Sequence, residues 1–495
     1  MSLAPHPRRI GLQLRLCAAA IIGAACWPDA LALTLSQHLS WPTAAAGPAA
    51  TDLPPETPIA APQQAATTWA ALLGGLDQAH GVRQARARAE AREAISEQSL
   101  VRAWLPRLDA SVRADDQRQR YNGLASRTPS SASTVQATLP LWRPAERAEA
   151  RAEDAAAEQA QWQTRLRRQS LARELSQDYL SAVETAEHAR LTRAHLAALA
   201  QQSRAHDKRL QAGLGTVLDS LETRARQEQA LAQSEQLTSR LRSLTLSLSR
   251  LSGLAVAPPD GLSPRTPSPS GAAVVLPPLP EAMAQVLTSH PEIQDARSGV
   301  RGSLETIRAR DAERWQPTLD ATASHSRTRQ TQRFEGLSDR QNIRTDAIGL
   351  VLNWPLFSSG LQDARQREAA ALLSAAQARL DEAESRVSTE LQDAYQRHEQ
   401  AHRQQARQAA VVASAQATLE AIQKAWLAGL RSTTDLLDAQ QRLHDARMAS
   451  VSARVTTLQA GSDALALLGL LDAAHVAPWL DLFDATPTDI ASSPP

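Results

Sequence analysis

Cysteine is nearly absent from this chain of 495 residues, and both copies, Cys17 and Cys26, fall close to its start. No disulfide can staple the remainder, so its stability must come from packing or assembly. Aromatic residues are as scarce, at 3% (Trp 10, Tyr 3, Phe 3). The length alone would allow about three ordinary domains, but thick cores built on large rings are excluded. Net charge is missing too: 53 Lys+Arg against 52 Asp+Glu leaves +1, which argues against a nucleic-acid-binding protein. Beyond residue 32 there is no apolar run of about 20 residues, so no helical membrane span is expected in the mature chain. What is present is a 43% hydrophobic complement, visibly rich in Ala and Leu, the residues of thin, closely packed helices.

Residues 1–32 read as an export signal: Arg8, Arg9 and Arg15, then the apolar run from Leu16 to Cys26, then the small-x-small pattern Ala30-Leu31-Ala32. Cleavage after Ala32 would remove both cysteines. The alternative, a lipid-modified Cys26, lacks the Leu expected three positions before it, where Gly23 stands. An exported chain without a helical span is periplasmic, secreted or an outer-membrane barrel. Residues 33–68 form a Pro/Ala/Thr-rich lead, expected to be extended.

The chain is internally duplicated. Trp104-Leu105-Pro106-Arg107-Leu108-Asp109 recurs as Trp315-Gln316-Pro317-Thr318-Leu319-Asp320, Pro140-Leu141-Trp142 recurs as Pro355-Leu356-Phe357, and Ala212-Gly213-Leu214 recurs as Ala428-Gly429-Leu430. Asp219 and Glu222 answer Asp435 and Asp438 in the same order. Two units follow, 69–254 and 279–471, joined by a Pro/Ser-rich linker at 255–278 and followed by a tail at 472–495. Each unit begins with a helix (69–103, 279–314) and a β-hairpin (about 105–142, about 316–357). Each continues with a long helix (145–212, 361–428), a glycine break and a return helix (216–253, 432–471).

The long runs hold neither proline nor glycine over 68 residues each, and would span roughly 100 Å. A helix of that length must bury its apolar stripe against partners along its whole extent. The two shorter helices of the same unit, stacked end to end, have the required length. Between the helices the pattern alternates. Leu108, Ala110, Val112 and Ala114 share one strand face, as do Val135, Ala137, Leu139 and Leu141, Leu319, Ala321 and Ala323, and Ile348, Leu350, Leu352 and Trp354. The opposite faces carry Asp109, Ser111, Arg113, Gln136, Thr138, Asp320, Thr322 and Ser324. Four strands of about 10 residues are expected, long enough to cross a bilayer when tilted, with turns at 121–134 and 328–341. Four strands cannot close a barrel, and open edges are forbidden in lipid. Three chains would supply twelve strands. The fold class expected is therefore a mixed α/β membrane protein, a trimeric twelve-stranded barrel continued by a periplasmic helical barrel. A soluble exported coiled coil with polar hairpins is the alternative on this pattern alone.

Nothing in the chain builds a catalytic centre. His398 and His402 sit on a Gln/Arg-rich face, and His290 with Glu292 is too sparse for a metal. No Gly-rich phosphate loop follows a strand, and no serine occupies a nucleophile elbow. The i, i+3 pair Asp435 and Asp438 could equally be a solvated helix face. No enzyme activity, metal or cofactor is expected.

Several stretches in this order resemble the TolC-type outer-membrane channel family, the outer membrane efflux proteins. They are Leu279-Pro280-Glu281-Ala282 with His290-Pro291-Glu292, Trp315-Gln316-Pro317, Trp354-Pro355-Leu356-Phe357-Ser358-Ser359-Gly360, and Gly429-Leu430-Arg431-Ser432-Thr433-Thr434-Asp435-Leu436-Leu437-Asp438-Ala439-Gln440. The resemblance covers about 69–471. It implies a homotrimer in outer-membrane lipid reaching into the periplasm, passive export, and two partners. These are a periplasmic adaptor (membrane fusion) protein and an inner-membrane ABC or proton-driven transporter. Cargo stays open between type I protein secretion, slightly preferred, and small-molecule efflux. A periplasmic coiled-coil adaptor, which would have one hairpin between small β domains, ranks lower because the chain has two near-equal units.

The family's tip residues carry over one by one. Asp435 and Asp438 match the acidic pair at the narrow entrance, where like charges facing a lumen would raise one another's pKa. Arg431 matches a basic residue of the closing network. Trp426 stands where a relative has a tyrosine, and Asp219 matches that tyrosine's acidic partner. Gly213 and Gly429 would make the tip turns. Leu218 stands where a polar partner for Arg431 would be expected, so Arg431 must pair elsewhere. Trp104, Pro106, Pro140, Trp142, Trp315, Pro317, Pro355, Phe357 and Gly360 would mark junctions of barrel and helices. Trp142-Arg143-Pro144 departs from Ser358-Ser359-Gly360, and His80-Gly81 from His290-Pro291.

Overall fold

The computed structural model describes residues 69–121, 124–211, 216–256, 276–334, 337–428, 430–472 and 475–476. The export signal with Cys17, Cys26 and Ala32, the lead to residue 68, most of the linker and the end of the tail lie outside the described residues, as do Gly213 and Gly429.

The elements in chain order are α1 (Trp69–Gly74), a 3-10 turn (Gly75–Gln78), α2 (His80–Trp104), β1 (Arg107–Tyr121), β2 (Leu124–Trp142), α3 (Pro144–Gln211) and α4 (Val217–Ser252). The second unit has α5 (Leu279–Ser289), α6 (Pro291–Trp315), β3 (Thr318–Phe334), β4 (Leu337–Asn353), α7 (Leu361–Leu427) and α8 (Thr433–Leu467). Contacts divide the described chain into a sheet unit and a helical unit.

Local chemistry sets the ends. Pro144 opens α3 at a position where its missing N–H costs nothing. Thr216 with Asp219 and Ser432 with Asp435 form capping boxes at the starts of α4 and α8. Gly253 ends α4 in the left-handed conformation, with φ 71°. Gly360 takes φ 82° before α7.

Two single helices expected over 69–103 and 279–314 are each broken. The Gly74-Gly75 pair leads into the 3-10 turn, and Ala79 is extended before α2 begins. In unit two, Pro291 withholds an N–H and keeps His290 extended (ψ 129°), so α5 and α6 are separate helices.

In the sheet unit the four strands are antiparallel in the order β1-β2-β3-β4, so β1 and β4 are the edges. They run 15, 19, 17 and 17 residues, not about 10. The stretches 121–134 and 328–341, expected as turns, are mostly strand. Their residues are polar on both faces, which erased the apolar alternation that marks a strand. Apolar positions share one face: Leu108 pairs with Ala137, Ala137 with Ala323, and Ala323 with Ile348. No described residue covers that face, with Val112 84% and Ile348 85% exposed. The register slips between Pro140 and Trp142. Just beyond the slip, Arg143 grips Asp320 with two parallel bonds of 2.7 and 2.8 Å, fastening β2 to β3.

In the helical unit α3 packs on α4, α7 on α8, and α8 also on α3. The pairing expected within each unit is corrected at one place. The partner of α3 along its first half is α6 from unit two, which also lies on α7. Helix α2, the equivalent in unit one, also lies along α3 but less closely, burying Val82, Ala89, Ser96 and Ala103 at intervals of seven residues, with an exposed ion pair, Arg92–Glu153, at 4.0 Å. Gly299 and Gly302 of α6 face Gln159 and Ala155 of α3, and an added Cβ would meet atoms there at 3.6 Å, an ordinary van der Waals distance. At the same turns α2 carries Arg88 and Ala91.

The main core forms where α1, α3, α4 and α8 meet, around Trp69, Leu175, Tyr179, Val183, Leu248 and Leu458. Trp69 stacks on Tyr179 at 5.8 Å and donates to Ser176 Oγ at 3.0 Å. Two buried carboxylates tie the long helices through a third. Asp295 of α6 accepts from Gln163 of α3 and Arg379 of α7, both at 2.9 Å. Asp463 of α8 accepts from Arg173 and Gln177 of α3 and lies 3.7 Å from Arg397 of α7. No helix among the described residues is long and apolar enough to cross a membrane.

Candidate functional site

The ends of α3 and α7 and the starts of α4 and α8 hold or border five of the residues singled out in the sequence, Asp219, Trp426, Arg431, Asp435 and Asp438. Capping places two of them. Asp435 accepts from Ser432 N at 3.1 Å, and its own N–H donates to Ser432 Oγ at 3.1 Å. Asp219 accepts from the Thr216 hydroxyl at 2.6 Å and donates back from its N–H at 3.2 Å.

In the single protomer the Asp435 carboxyl is held below the usual range, first by the Ser432 N–H and hydroxyl and then by Arg431 and Arg442. Arg431 lies 3.8 Å from Asp435, and Leu218 is exposed, so the arginine pairs within its own hairpin.

Asp438 is bonded to another helix. It accepts from Arg226 Nη2 of α4 at 2.7 Å. One turn earlier on each helix, Thr434 donates to Glu222 at 2.9 Å. These two bonds join the return helices α4 and α8. Sequence reasoning missed Arg226 and Thr434. The signal was available, because Glu222 and Arg226 are four apart and so are Thr434 and Asp438, which gives two matched faces.

Trp426 and Asp219 are not bonded to each other. Trp426 Nε1 donates to Thr433 Oγ1 at 3.4 Å. The same threonine helps, after Thr216, to hold the Asp219 carboxyl low. Thr433 thus stands between the two residues, a role the sequence did not reveal. On the α3 side, Asp207 accepts from Ser220 at 2.7 Å and faces Arg224, closing α3 against α4.

Farther along the α3–α8 seam, His195 and His444 stack with ring centres 4.6 Å apart. Burial holds both imidazoles below their ordinary pKa; at His444 the charge of His195 adds to the effect and that of Asp445 opposes it. No group of three or more His, Cys, Asp or Glu among the described residues is placed to hold a metal.

The remaining sequence-selected residues sit where strands and helices connect. Trp104 ends α2 and Trp315 ends α6, both exposed. Pro106 and Pro317 lie between helix and strand, and Pro140 and Trp142 flank the register slip of β2. Pro355, Phe357 and Gly360 lie between β4 and α7, with Phe357 exposed.

A profile described as "Outer membrane efflux protein" matches residues 75–254 and 282–470. The chain belongs to the outer membrane efflux protein family. This is the TolC-type channel family, whose members are transport proteins and not enzymes. "Outer membrane efflux protein BepC" of Brucella suis biovar 1 is 28% identical over 276 residues, 56% of this chain and 58% of that protein. "Alkaline protease secretion protein AprF" of Pseudomonas aeruginosa is 27% identical over 305 residues, 60% of this chain and 61% of that one. The matched part is thus about three fifths of either relative's length. A solved membrane protein from Pseudomonas aeruginosa shares the fold, with TM-score 0.69, 23% identity, and coverage of 81% of this chain and 93% of that chain.

Proposed function

We propose that this efflux-family protein is the passive outer-membrane exit duct of a tripartite export machine, working as a homotrimer. The observation that carries the proposal is the four-stranded sheet with two edge strands and one uncovered apolar face. Such edges cannot stand in lipid. Joining β1 of one protomer to β4 of the next, three times, removes every edge and gives twelve strands. The apolar face turns to lipid, and the face of Asp109, Ser111, Gln136, Thr138 and Ser324 lines a water-filled lumen. The helical unit extends the duct through the periplasm. The aromatic and proline residues at the strand–helix connections mark the junction.

In this reading the ends of α3, α4, α7 and α8 are the gate. Asp435 and Asp438 supply threefold sets of carboxylates, which favour cations. Arg431, Trp426 and Asp219, with Gly213 and Gly429 at the turns, belong to the closing network. A periplasmic adaptor and an inner-membrane ABC or proton-driven transporter open it and supply the energy. Type I protein secretion is the favoured use, supported by the likeness to a protein named for protease secretion. Small-molecule efflux is the second reading, supported by the likeness to BepC.

Detergent extraction followed by mass determination tests the assembly, with three chains plus micelle expected. A monodisperse monomer, or release from membranes by salt alone, sinks the proposal. Recording in planar bilayers should then show discrete openings. Deleting the gene and assaying both the culture supernatant and drug tolerance separates the two cargoes.

A further inference from the structure

The strands run well past the apolar face, and what that same face carries farther out is not neutral. Antiparallel partners share a face, so the register assigns every position. On β1 the apolar positions end at Ala114, and the next two on that face are Asp116 and Arg118. On β3 they end at Ala323, followed by His325 and Arg327. On β4 they end at Ile348, followed by Asp346 and Arg344. Three strands therefore repeat one order: apolar, then Asp or His, then Arg. Farther out the face adds Arg127, Arg329 and Arg340. Arg327 and Arg344 are direct cross-strand partners, as are Arg118 and Arg127.

Like charges placed opposite each other destabilise a sheet. Carboxylates on this face offset only part of the charge: Asp116 accepts from Arg127 at 2.7 Å and lies 3.8 Å from Arg118, while Asp346 pairs with His325. The other face is different at the same level. It shows Gln117, Ser130, Ser326, Thr328, Gln330, Gln341 and Thr345, with arginine confined to Arg107 and Arg113 nearer the start of β1.

The boundary between apolar and arginine positions also slants. Ala114 is level with Ser131 and Arg329 in the hydrogen-bonding direction, whereas Ile348 is level with Leu108 through Ala137 and Ala323. The apolar run thus ends six residues farther out on β1 than on β4. A level membrane draws such a slanted line on tilted strands. The line and the charges lie on the face that the duct reading turns outward.

We infer that this arginine rank is a docking surface for the phosphate-bearing headgroups of glycolipid in the outer leaflet of the membrane. The inference rests on the duct reading, which sets the outward face. A guanidinium fork matches phosphate oxygens and holds them with charge-assisted bonds. Each first arginine lies four residues beyond the last apolar one, about 14 Å along the strand, which sets it at headgroup depth when the apolar band is in hydrocarbon. The inner face carries Asp115 and Asp339 at this depth and no arginine beyond Arg113.

The test uses the full trimer in detergent and two probes: lipopolysaccharide, and the same lipid with its phosphates removed enzymatically. Retained glycolipid per trimer is read by native mass spectrometry. The parent should retain the phosphorylated form about tenfold better. The triple variant Arg118→Gln/Arg327→Gln/Arg344→Gln should lose that preference, and Arg107→Gln/Arg113→Gln on the other face should keep it. If the triple variant fails to fold, Arg344→Gln alone should lower the preference about threefold in the folded protein. Equal retention of both lipids by the parent overturns the inference, as does equal loss in the inner-face control. Conductance in phosphatidylcholine bilayers separates the two levels. Parent channels that open normally but show no lipid preference remove the inference and leave the duct. A protein that neither inserts nor conducts removes both.

Discussion

Helices α2 and α6 occupy the same place in the two repeats, yet α6 is wedged between two long helices whereas α2 buries only a narrow stripe, Val82, Ala89, Ser96 and Ala103. α6 buries Ile293, Ala309 and Ala312 and carries the buried Asp295 that binds both α3 and α7. α2 leaves Ile95, Leu100 and Val101 more than a third exposed and has Arg83, Gln84, Ala85 and Arg86 at the turn corresponding to Asp295. A duplicated chain offers two equivalent positions, and a single protomer fills one. Beside its buried stripe α2 leaves further apolar side chains open, so among the described residues what it lacks is a second neighbour. In the proposed trimer the vacant place beside α2 is filled by the long helix of the next protomer.

The largest expected effect breaks the filled side. Asp295→Ala removes the acceptor of Gln163 and of Arg379, whose side chain is 64% exposed, and should cost about 2–3 kcal/mol in chemical unfolding. A loss below about 1 kcal/mol would show that the carboxylate does not tie the helices.

Next comes the entry to each helix. His290 caps α6, accepting from Glu292 N, and burial lowers its pKa from 6.5 to about 4. The folded state then binds fewer protons than the unfolded chain between those values. Stability is complete above about pH 6.5 and is lost as pH falls towards 4, by up to about 3 kcal/mol. His290→Gln should flatten the dependence of Tm on pH over this window. His80→Gln at the exposed start of α2 is the matched control, and equal flattening by both would dismiss the assignment.

The close approach of α6 is tested more gently. Gly302→Leu should destabilise the protomer by about 1–3 kcal/mol through overpacking. Ala91→Leu at the equivalent turn of α2 should weaken the trimer while the protomer stays folded, read by mass in detergent against circular dichroism. An unaffected trimer would mean that the next protomer does not use this face.

The smallest effect lies at the tip. Arg226 and Asp438 are both part-exposed, at 29% and 42% for their side chains. A double-mutant cycle of Arg226→Ala with Asp438→Ala, read as open probability, should give a coupling of about 0.5–1 kcal/mol. Additive effects would show that the bond plays no part in closure.

The repeat, the two uninterrupted long helices and the capping positions of Asp219 and Asp435 were legible in the residues. Each is written locally, in a copied motif, an absence of Gly and Pro, or an S/T-x-x-D spacing. What was not legible is which helix lies beside which. α2 and α6 carry similar amphipathic signatures, and nothing local says that α3 takes its partner from the other repeat. Strand length was hidden where polar residues occupied both faces. At the candidate site, Asp438 was selected by its likeness to a gate residue, whereas its partner Arg226 lies on another helix. Only the tertiary fold brings those two together.

The carboxylate of Asp463 sits near the middle of α3, among Arg173, Gln177 and Arg397. From Arg173 to Gln211 the helix continues for about 57 Å at 1.5 Å per residue, without proline or glycine to absorb a bend. Together with α4 and α8, which are bonded to it along this length, that stretch is a lever with its fulcrum at the buried Asp463 carboxylate. A tilt of about 5° at the fulcrum carries the far end through about 5 Å, roughly the interval from one helical turn to the next. A change of less than an ångström among the four side chains at Asp463 is enough for such a tilt, so small strains at mid-height are delivered at the tip as displacements several times larger.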